Sequence, residues 1–354
     1  MKAIGSYIFA GGFTIGVKKH FDVLAHLEGD GAYGADTFNL NYPDIPVYSG
    51  PENWPTSFHE YQNVDFVYGN PPCAPWSTLG SGSKGADGWK TDPRISCWND
   101  VFSLIYTLKP KALAIESVPR VYSETGGRPM IMDFTRKANE EGYAVTHLLV
   151  DGQYTGLPHT RKRFFFLAHK GNFNPPAPNW NPAPNVGEVL DELKADGIDA
   201  GHTASLSENE MKLTKMAKPG ESLRNIWESL NPPETWKRST KGRKGVIGRP
   251  QFMKWRLTRE QTMGVIAGSF SIHPEEDRLL GIKELCAFSG YPVDYKFAGA
   301  KSGWPSLLAR GVMPPVGEWL ARNVKTMIES NQSFEVNHKV IDYRKPTTGD
   351  LFNA

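Results

Sequence analysis

The chain of 354 residues has three cysteines, no long hydrophobic run and a formal net charge of only +2. Each shortage removes a class of protein. Three cysteines, odd in number, exclude a disulfide framework and fit a reducing compartment. They also lack the paired spacing of a zinc site, so no metal is expected. No apolar stretch reaches the ~18 residues of a transmembrane helix. The start, "MKAIGSYIFAGGF", has one lysine and no apolar stretch ending in a small-residue cleavage site, so a cytoplasmic protein without a signal peptide is expected. The net charge does not mark the whole molecule as a nucleic-acid binder. Internal repeats are missing as well.

What is present is the composition of an ordinary globular protein, 39% hydrophobic and 22% charged, long enough for a large core and more than one domain. Up to about residue 170, short apolar runs alternate with helix-like segments. "AIGSYIFA", "FDVLAHLE", "VDFVYG" and "ALAIES" read as strands; "WNDVFSLIYTLKP" and "PMIMDFTRKANEEGY" read as helices. That alternation predicts a parallel, doubly wound α/β sheet. "AVTHLLVD" and "RFFFLAHK" follow one another without a helix, which predicts an antiparallel edge. The proline-rich "NFNPPAPNWNPAPNVGE" marks a boundary. Beyond it the chain is polar and irregular to about 250, with one helical candidate near 186–195. "GEWLARNVKTMIESN" reads as a last long helix, and the segment from 332 as a polar tail.

Chemistry concentrates where strands end. Phe9, Ala10, Gly11 and Gly12 form a strand-to-helix glycine turn, a shape that suits either a tight turn or a nucleotide loop. Glu28 ends the next strand, where an acid can bind ribose hydroxyls. In "GNPPCAPWS", Pro71, Pro72 and Pro75 stiffen the chain around Cys73, a place that suits a nucleophile as well as a packing thiol. Glu116 closes the strand "ALAI", an expensive place for an unused carboxylate. Arg161 and Arg163 stand at alternating positions before an apolar strand and can point one way; strand-end cations are the plain alternative. From Lys237 to Arg256 there are eight Lys/Arg and no acid. Among these, Arg238, Lys241, Arg243 and Lys244 sit among glycines and suit phosphate contacts; a solvated loop is the alternative.

In order along the chain, "FAGGFTIG", "NPPCAPWS", "TDPR", "ESVP", "PHTRKR", "HPEEDRLLGIKELCAFSGYP" and "GVMPPVGEWLARNV" resemble the successive motifs of the DNA cytosine carbon-5 methyltransferases. The resemblance implies a Rossmann-like methyltransferase sheet with a small irregular target-recognition insert. It implies S-adenosylmethionine as methyl donor, held by Phe9, Ala10, Gly11, Gly12, Glu28 and Pro72, and double-stranded DNA as partner. It implies Cys73 as nucleophile, Glu116 as proton carrier at the base, Arg163 on the base carbonyl and Arg161 supporting the loop. The family includes modification enzymes of restriction systems. A tRNA-directed branch shares the same core, and a non-catalytic DNA-binding relative is the other alternative.

The implied organisation is a catalytic domain over 1–172 that resumes over 251–330, a target-recognition region over 173–250, a tail over 331–354, and a monomer. Several positions depart from the family pattern. The glycine loop is about two residues short, and Tyr7 replaces an acid before it. Ala74 follows the cysteine, Ser117 replaces Asn, His159 replaces Gln, and Arg310-Gly311 stands for Gly-Asn. "GPENW" is the candidate region for the acid that contacts adenine, and Cys97 and Cys286 read as packing thiols.

Overall fold

Successive strand residues feed two different cores. Ala3, Phe66, Tyr68, Ala112 and Ala114 bury on one face, and Ile4, Val67, Leu113 and Ile115 on the other. This is the period-two pattern of a sheet covered on both sides. The computed structural model describes residues 1–30, 34–55, 59–77, 88–181, 183–230, 254–264, 266 and 271–345.

Its strands are β1 (Lys2–Ser6), β2 (Asp22–Glu28), β3 (Val47–Ser49), β4 (Phe66–Gly69), β5 (Ala112–Ser117), β6 (Ala144–Asp151), β7 (Lys162–His169), β8 (Trp255–Arg256), β9 (Ser271–Ile272) and β10 (His338–Tyr343). Eight of them form one sheet in the order β10-β6-β7-β5-β4-β1-β2-β3; β8 and β9 pair separately. All neighbours in the large sheet run parallel except β7, which is antiparallel to β5 and β6.

The helices are α1 (Gly12–Val17), α2 (Ala35–Asn41), α3 (Ile95–Thr107), α4 (Arg128–Glu140), α5 (Val186–Ala195), α6 (Glu208–Met216), α7 (Leu223–Ser229), α8 (Ile282–Ser289), α9 (Trp304–Arg310) and α10 (Pro314–Ser330). Phe13 of α1, Phe288 of α8 and Leu320 of α10 cover one face. Val101 and Phe102 of α3 and Phe134 of α4 cover the other.

The doubly wound α/β sheet is therefore as expected, and two details differ. The antiparallel strand is not at an edge: β7 wedges between β5 and β6. Beyond β6, the polar tail supplies β10, which pairs with it in parallel. An edge strand needs only one partner and one covered side, so β10 shows little of the apolar signature of a buried strand. The helical candidate near 186–195 is α5, and the polar stretch after it is less irregular than it reads, because it also contains α6 and α7. The Asn185–Glu188 and Ser207–Glu210 capping boxes start α5 and α6, and Ser222 caps α7. These reciprocal bonds satisfy the first orphan amides of a helix.

Close approach of α1 and α10 seats the glycine turn. A β-carbon on Gly16 would lie 2.3 Å from the Glu318 nitrogen and 2.5 Å from the Pro314 oxygen. Both are backbone atoms and cannot swing away. Gly16→Ala is expected to push the helices apart and lower stability by about 1–3 kcal/mol, the usual range for overpacking. Thermal or urea denaturation checks this; an unchanged midpoint would show that the two helices separate freely.

Candidate active site

Parallel strands deliver their carboxyl ends to one edge of the sheet, and an antiparallel strand delivers its beginning there. This is why distant segments meet. Cys73 follows β4, Glu116 lies at the end of β5, and Arg161 and Arg163 lie at the start of β7. The register sets Glu116 opposite Phe165. Arg163, two residues earlier, shares that face of β7. Its Nε lies 2.6 Å from Glu116 Oε1. The approach is an ion pair rather than an aligned hydrogen bond, since Oε1 has no partner in hydrogen-bond geometry. The other oxygen, Oε2, accepts from Asn70 Nδ2.

The loop that carries Cys73 is held at both ends. The Asn70 amide donates to the Ser6 carbonyl at 3.0 Å, and the amides of Trp76 and Ser77 donate to the Cys73 carbonyl, each at 3.0 Å. The Trp76 ring is buried, edge-on to Trp98 with centroids 5.0 Å apart. Pro71 and Pro72 have no amide to leave unsatisfied, so the loop can cross the strand end without further partners.

The charges around Cys73 oppose one another. Burial pushes its thiol above the usual range, Glu116 pushes it further, and Arg163 and Arg161 pull it back. Burial also raises the Glu116 carboxyl, against the two arginines and the Asn70 bond. Burial thus works toward the thiol and the acid, and the two arginines work toward their charged forms. Arg161 is only 1% exposed. Its Nη2 donates to the carbonyls of Ala309 (2.8 Å) and Gly311 (2.9 Å), so it clamps the segment that contains Arg310. Burial lowers its pKa to about 9. His159 is fully buried, with Nδ1 2.7 Å from the Phe288 carbonyl. It therefore donates there, and burial keeps the ring neutral, with a pKa of about 3.

A cavity of about 350 Å³ is lined by Pro72, the residue before Cys73, where strand order reverses between β1 and β4. Its walls include Phe9, Glu28, Pro51, Pro72, Cys97 and Asp100. Open α/β sheets bind ligands at such a switch point. Glu28 Oε1 accepts from the Ile8 amide at 2.7 Å, and burial drives the carboxyl up to about 8. The "GPENW" segment reaches the same corner, since Trp54 Nε1 donates to the Glu28 carbonyl at 3.0 Å.

Ala10, Gly11 and Gly12 turn behind Phe9 instead of forming the cavity wall. The Ala10 carbonyl accepts from Tyr295 Oη at 2.5 Å. A β-carbon on Gly12 would meet Tyr291 Oη at 2.2 Å, and Gly11 sits at φ +90°. Here the glycines are required by packing and backbone shape.

Two side chains at the site, Asn70 and Asp100, carry no reading in the sequence, and a third, Cys97, does more than the packing read for it. Asn70 bonds the carboxyl. Asp100 Oδ2 accepts from Tyr7 Oη at 3.0 Å, so α3 brings an acid to Tyr7, the residue that follows β1. Cys97 lines the cavity as well as packing on the core. Only the approach of α3 to the loop after β1 reveals the last two; Asn70 stands in plain view beside the prolines. Cys286, by contrast, is a packing thiol, buried and pushed up to about 12 by that burial.

Arg238, Lys241, Arg243 and Lys244 lie outside the described residues. Two other cations of the same stretch serve the fold: Arg256 is buried, bonding the Thr214 carbonyl and pairing with Asp277, and Lys254 pairs with Glu210. Among the described residues, no helix is long and apolar enough to cross a membrane.

The mostly parallel sheet, with one strand reversed between β5 and β6, is a Rossmann-like methyltransferase frame. The model of the C-5 cytosine-specific DNA methylase family matches residues 7–326, and the chain belongs to that family. It is 26% identical over 338 residues to a Type II methyltransferase, M1.HphI, of Haemophilus parahaemolyticus, covering 90% of this chain and 85% of that one. To M.NgoMIV of Neisseria gonorrhoeae it is 24% identical over 327 residues, covering 89% and 94%. Among solved structures, one assigned as a prophage-encoded DNA modification methyltransferase (E. coli) superposes with TM-score 0.65 at 19% identity, over 93% of this chain and 99% of that one. The DNMT2 of Spodoptera frugiperda superposes with TM-score 0.54 at 14% identity, over 91% and 99%. These structures share the fold.

Proposed function

We propose that the protein transfers a methyl group from S-adenosylmethionine to carbon 5 of cytosine in double-stranded DNA, through a transient bond from Cys73 to carbon 6. The observation that carries this reading is the convergence of Cys73, Glu116 and Arg163 at one sheet edge, beside a cavity of about 350 Å³. Carbon 5 of cytosine is a weak nucleophile. Addition of the Cys73 thiolate at carbon 6 turns the ring into an enamine whose electrons rest on carbon 5. That addition needs a proton at ring nitrogen 3, and Glu116, with its carboxyl raised by burial, is suited to carry one at neutral pH. Arg163 holds the base carbonyl oxygen, and Arg161 braces the segment behind it. After methylation, loss of the carbon-5 proton expels the thiolate. A stacked base cannot reach Cys73, so the target cytosine is flipped out of the duplex.

The donor, when bound, supplies an electrophilic methyl group. The cavity fits it: a buried carboxyl for ribose hydroxyls at Glu28, and apolar walls at Phe9, Pro51 and Pro72, the residue before Cys73. In this account, residues 173–250 read the DNA, and Arg238, Lys241, Arg243 and Lys244 contact its phosphates. Incubation with labelled donor and either duplex DNA or tRNA, followed by mass spectrometry of the nucleosides, tests the reading. It predicts 5-methylcytosine in the duplex. Label in tRNA alone would move the substrate to RNA, and no label in either would end the enzymatic reading.

Glu28 gives the donor site a pH dependence. Hydroxyl donors favour the ionised carboxylate, whereas the protein alone holds Glu28 protonated below about 8. Binding at neutral pH must then release a proton. Donor affinity should weaken by up to about tenfold per unit as pH falls below 8, and level off above it. Calorimetry in two buffers of different ionisation enthalpy measures the proton; a buffer-independent heat would contradict the role given to Glu28.

A further inference from the structure

Asn70 is 2% exposed and stands between β4 and the prolines that precede Cys73. Its carboxamide has two unlike ends. Nδ2 donates to Glu116 Oε2, while Oδ1 is buried without a partner. A buried acceptor left empty costs free energy and calls for an explanation. The other groups facing Glu116 do not supply one. Arg163 from β7 and Arg161 before it are donors only, and the Cys73 thiol faces the same carboxyl from the loop after β4. Such a set suits an ionised Glu116 and leaves a protonated one with only a weak sulfur acceptor for its hydrogen.

We propose that Asn70 is a positioning residue that stays bonded to Glu116 in both protonation states, donating from Nδ2 to the carboxylate and turning its carboxamide to accept at Oδ1 from the acid. Half a turn of the terminal torsion exchanges the two ends without moving the backbone. The backbone is itself tied down, by the bond from the Asn70 amide to Ser6. The orphaned Oδ1 is then the acceptor kept for the acid form. No other described group at this carboxyl can both donate and accept with fixed geometry. The inference rests on the reading of Glu116 as the proton carrier, and it adds a device that keeps the carboxyl aimed while the proton comes and goes.

The test uses the full chain, labelled with nitrogen-15 in asparagine and carbon-13 in the glutamate carboxyl. Signals are assigned by their loss in Asn70→Leu and Glu116→Gln. The Asn70 side-chain amide protons should shift in a single step with pH, at the same midpoint as the Glu116 carboxyl, and the step should vanish in Glu116→Gln. Asn70→Leu should lower turnover about tenfold to a hundredfold, the worth of a hydrogen bond to a charged group, while the thermal midpoint holds. A merely structural Asn70 would not follow the titration. Amide signals that stay constant while Glu116 titrates would overturn the proposal, as would a Glu116 that keeps one state throughout the folded range, or full turnover in a folded Asn70→Leu. If Glu116→Gln itself kept full turnover, the proton-carrier reading would fall instead, whatever the amide signals did.

Discussion

Cys73→Ser is expected to abolish methyl transfer to the limit of detection and to leave a folded protein that still binds DNA. In the proposed reaction the thiol makes its bond only during chemistry, so its loss falls on the chemical step rather than on binding. A serine hydroxyl is almost never ionised near neutral pH. The opposing charges around this position, set to balance a thiol, cannot bring a hydroxyl into range. The fold tolerates the change because the loop is held by the Trp76 and Ser77 amides on the Cys73 carbonyl and by the buried Trp76 ring, none of which involves sulfur. Single-turnover assays with labelled donor, alongside circular dichroism and duplex binding, measure all three properties. Normal 5-methylcytosine formation by the serine variant would remove the covalent step from the account.

Glu116→Gln is expected to lower turnover about 100- to 10,000-fold, the usual worth of a positioned general acid. Glutamine keeps the shape and can still bond Asn70, but it has no proton to give. The same change should make Cys73 more reactive toward iodoacetamide at neutral pH. The sign follows from the charges: Glu116 raises the thiol, and Arg163 and Arg161 lower it. Removing the acid leaves the two cations unopposed, and the thiolate fraction grows. Slower methylation together with faster alkylation is a pairing that general loss of structure would not produce. Slower alkylation would show that Glu116 activates the thiol rather than the base.

How much of this was legible before the structure depends on where each residue's signal lies. Cys73, Glu116, Arg161 and Arg163 stand at strand ends beside prolines or before apolar runs, so the hydrophobic pattern alone places them on the ligand edge. Glu28 and Phe9 were legible in the same way. The position of β7 was not: adjacency to β6 suggests an outer hairpin, and only pairing with β5 places it inside. β10 was hidden because an edge strand keeps polar residues. The starts of α6 and α7 were written in Ser207, Glu210 and Ser222, a local capping signal easily lost in a polar stretch. Asp100 was not legible at all, because its link to Tyr7 spans 93 positions. The glycine turn carries the opposite lesson. Its pattern suggests ligand approach, but Tyr291, Tyr295 and Phe38 fill the space around it.

The central claim is that Cys73 bonds to carbon 6 of the base. The most direct measurement uses a duplex with 5-fluorocytosine in place of cytosine throughout, mixed with the full chain and S-adenosylmethionine, and then denatured. Fluorine cannot leave carbon 5 as a proton does, so the bond that normally breaks must persist. Mass spectrometry should find protein and DNA strand joined at the Cys73 peptide, and no such species with Cys73→Ser. Methylated product from ordinary duplex, with no trapped Cys73 adduct on the fluorinated one, would contradict the account.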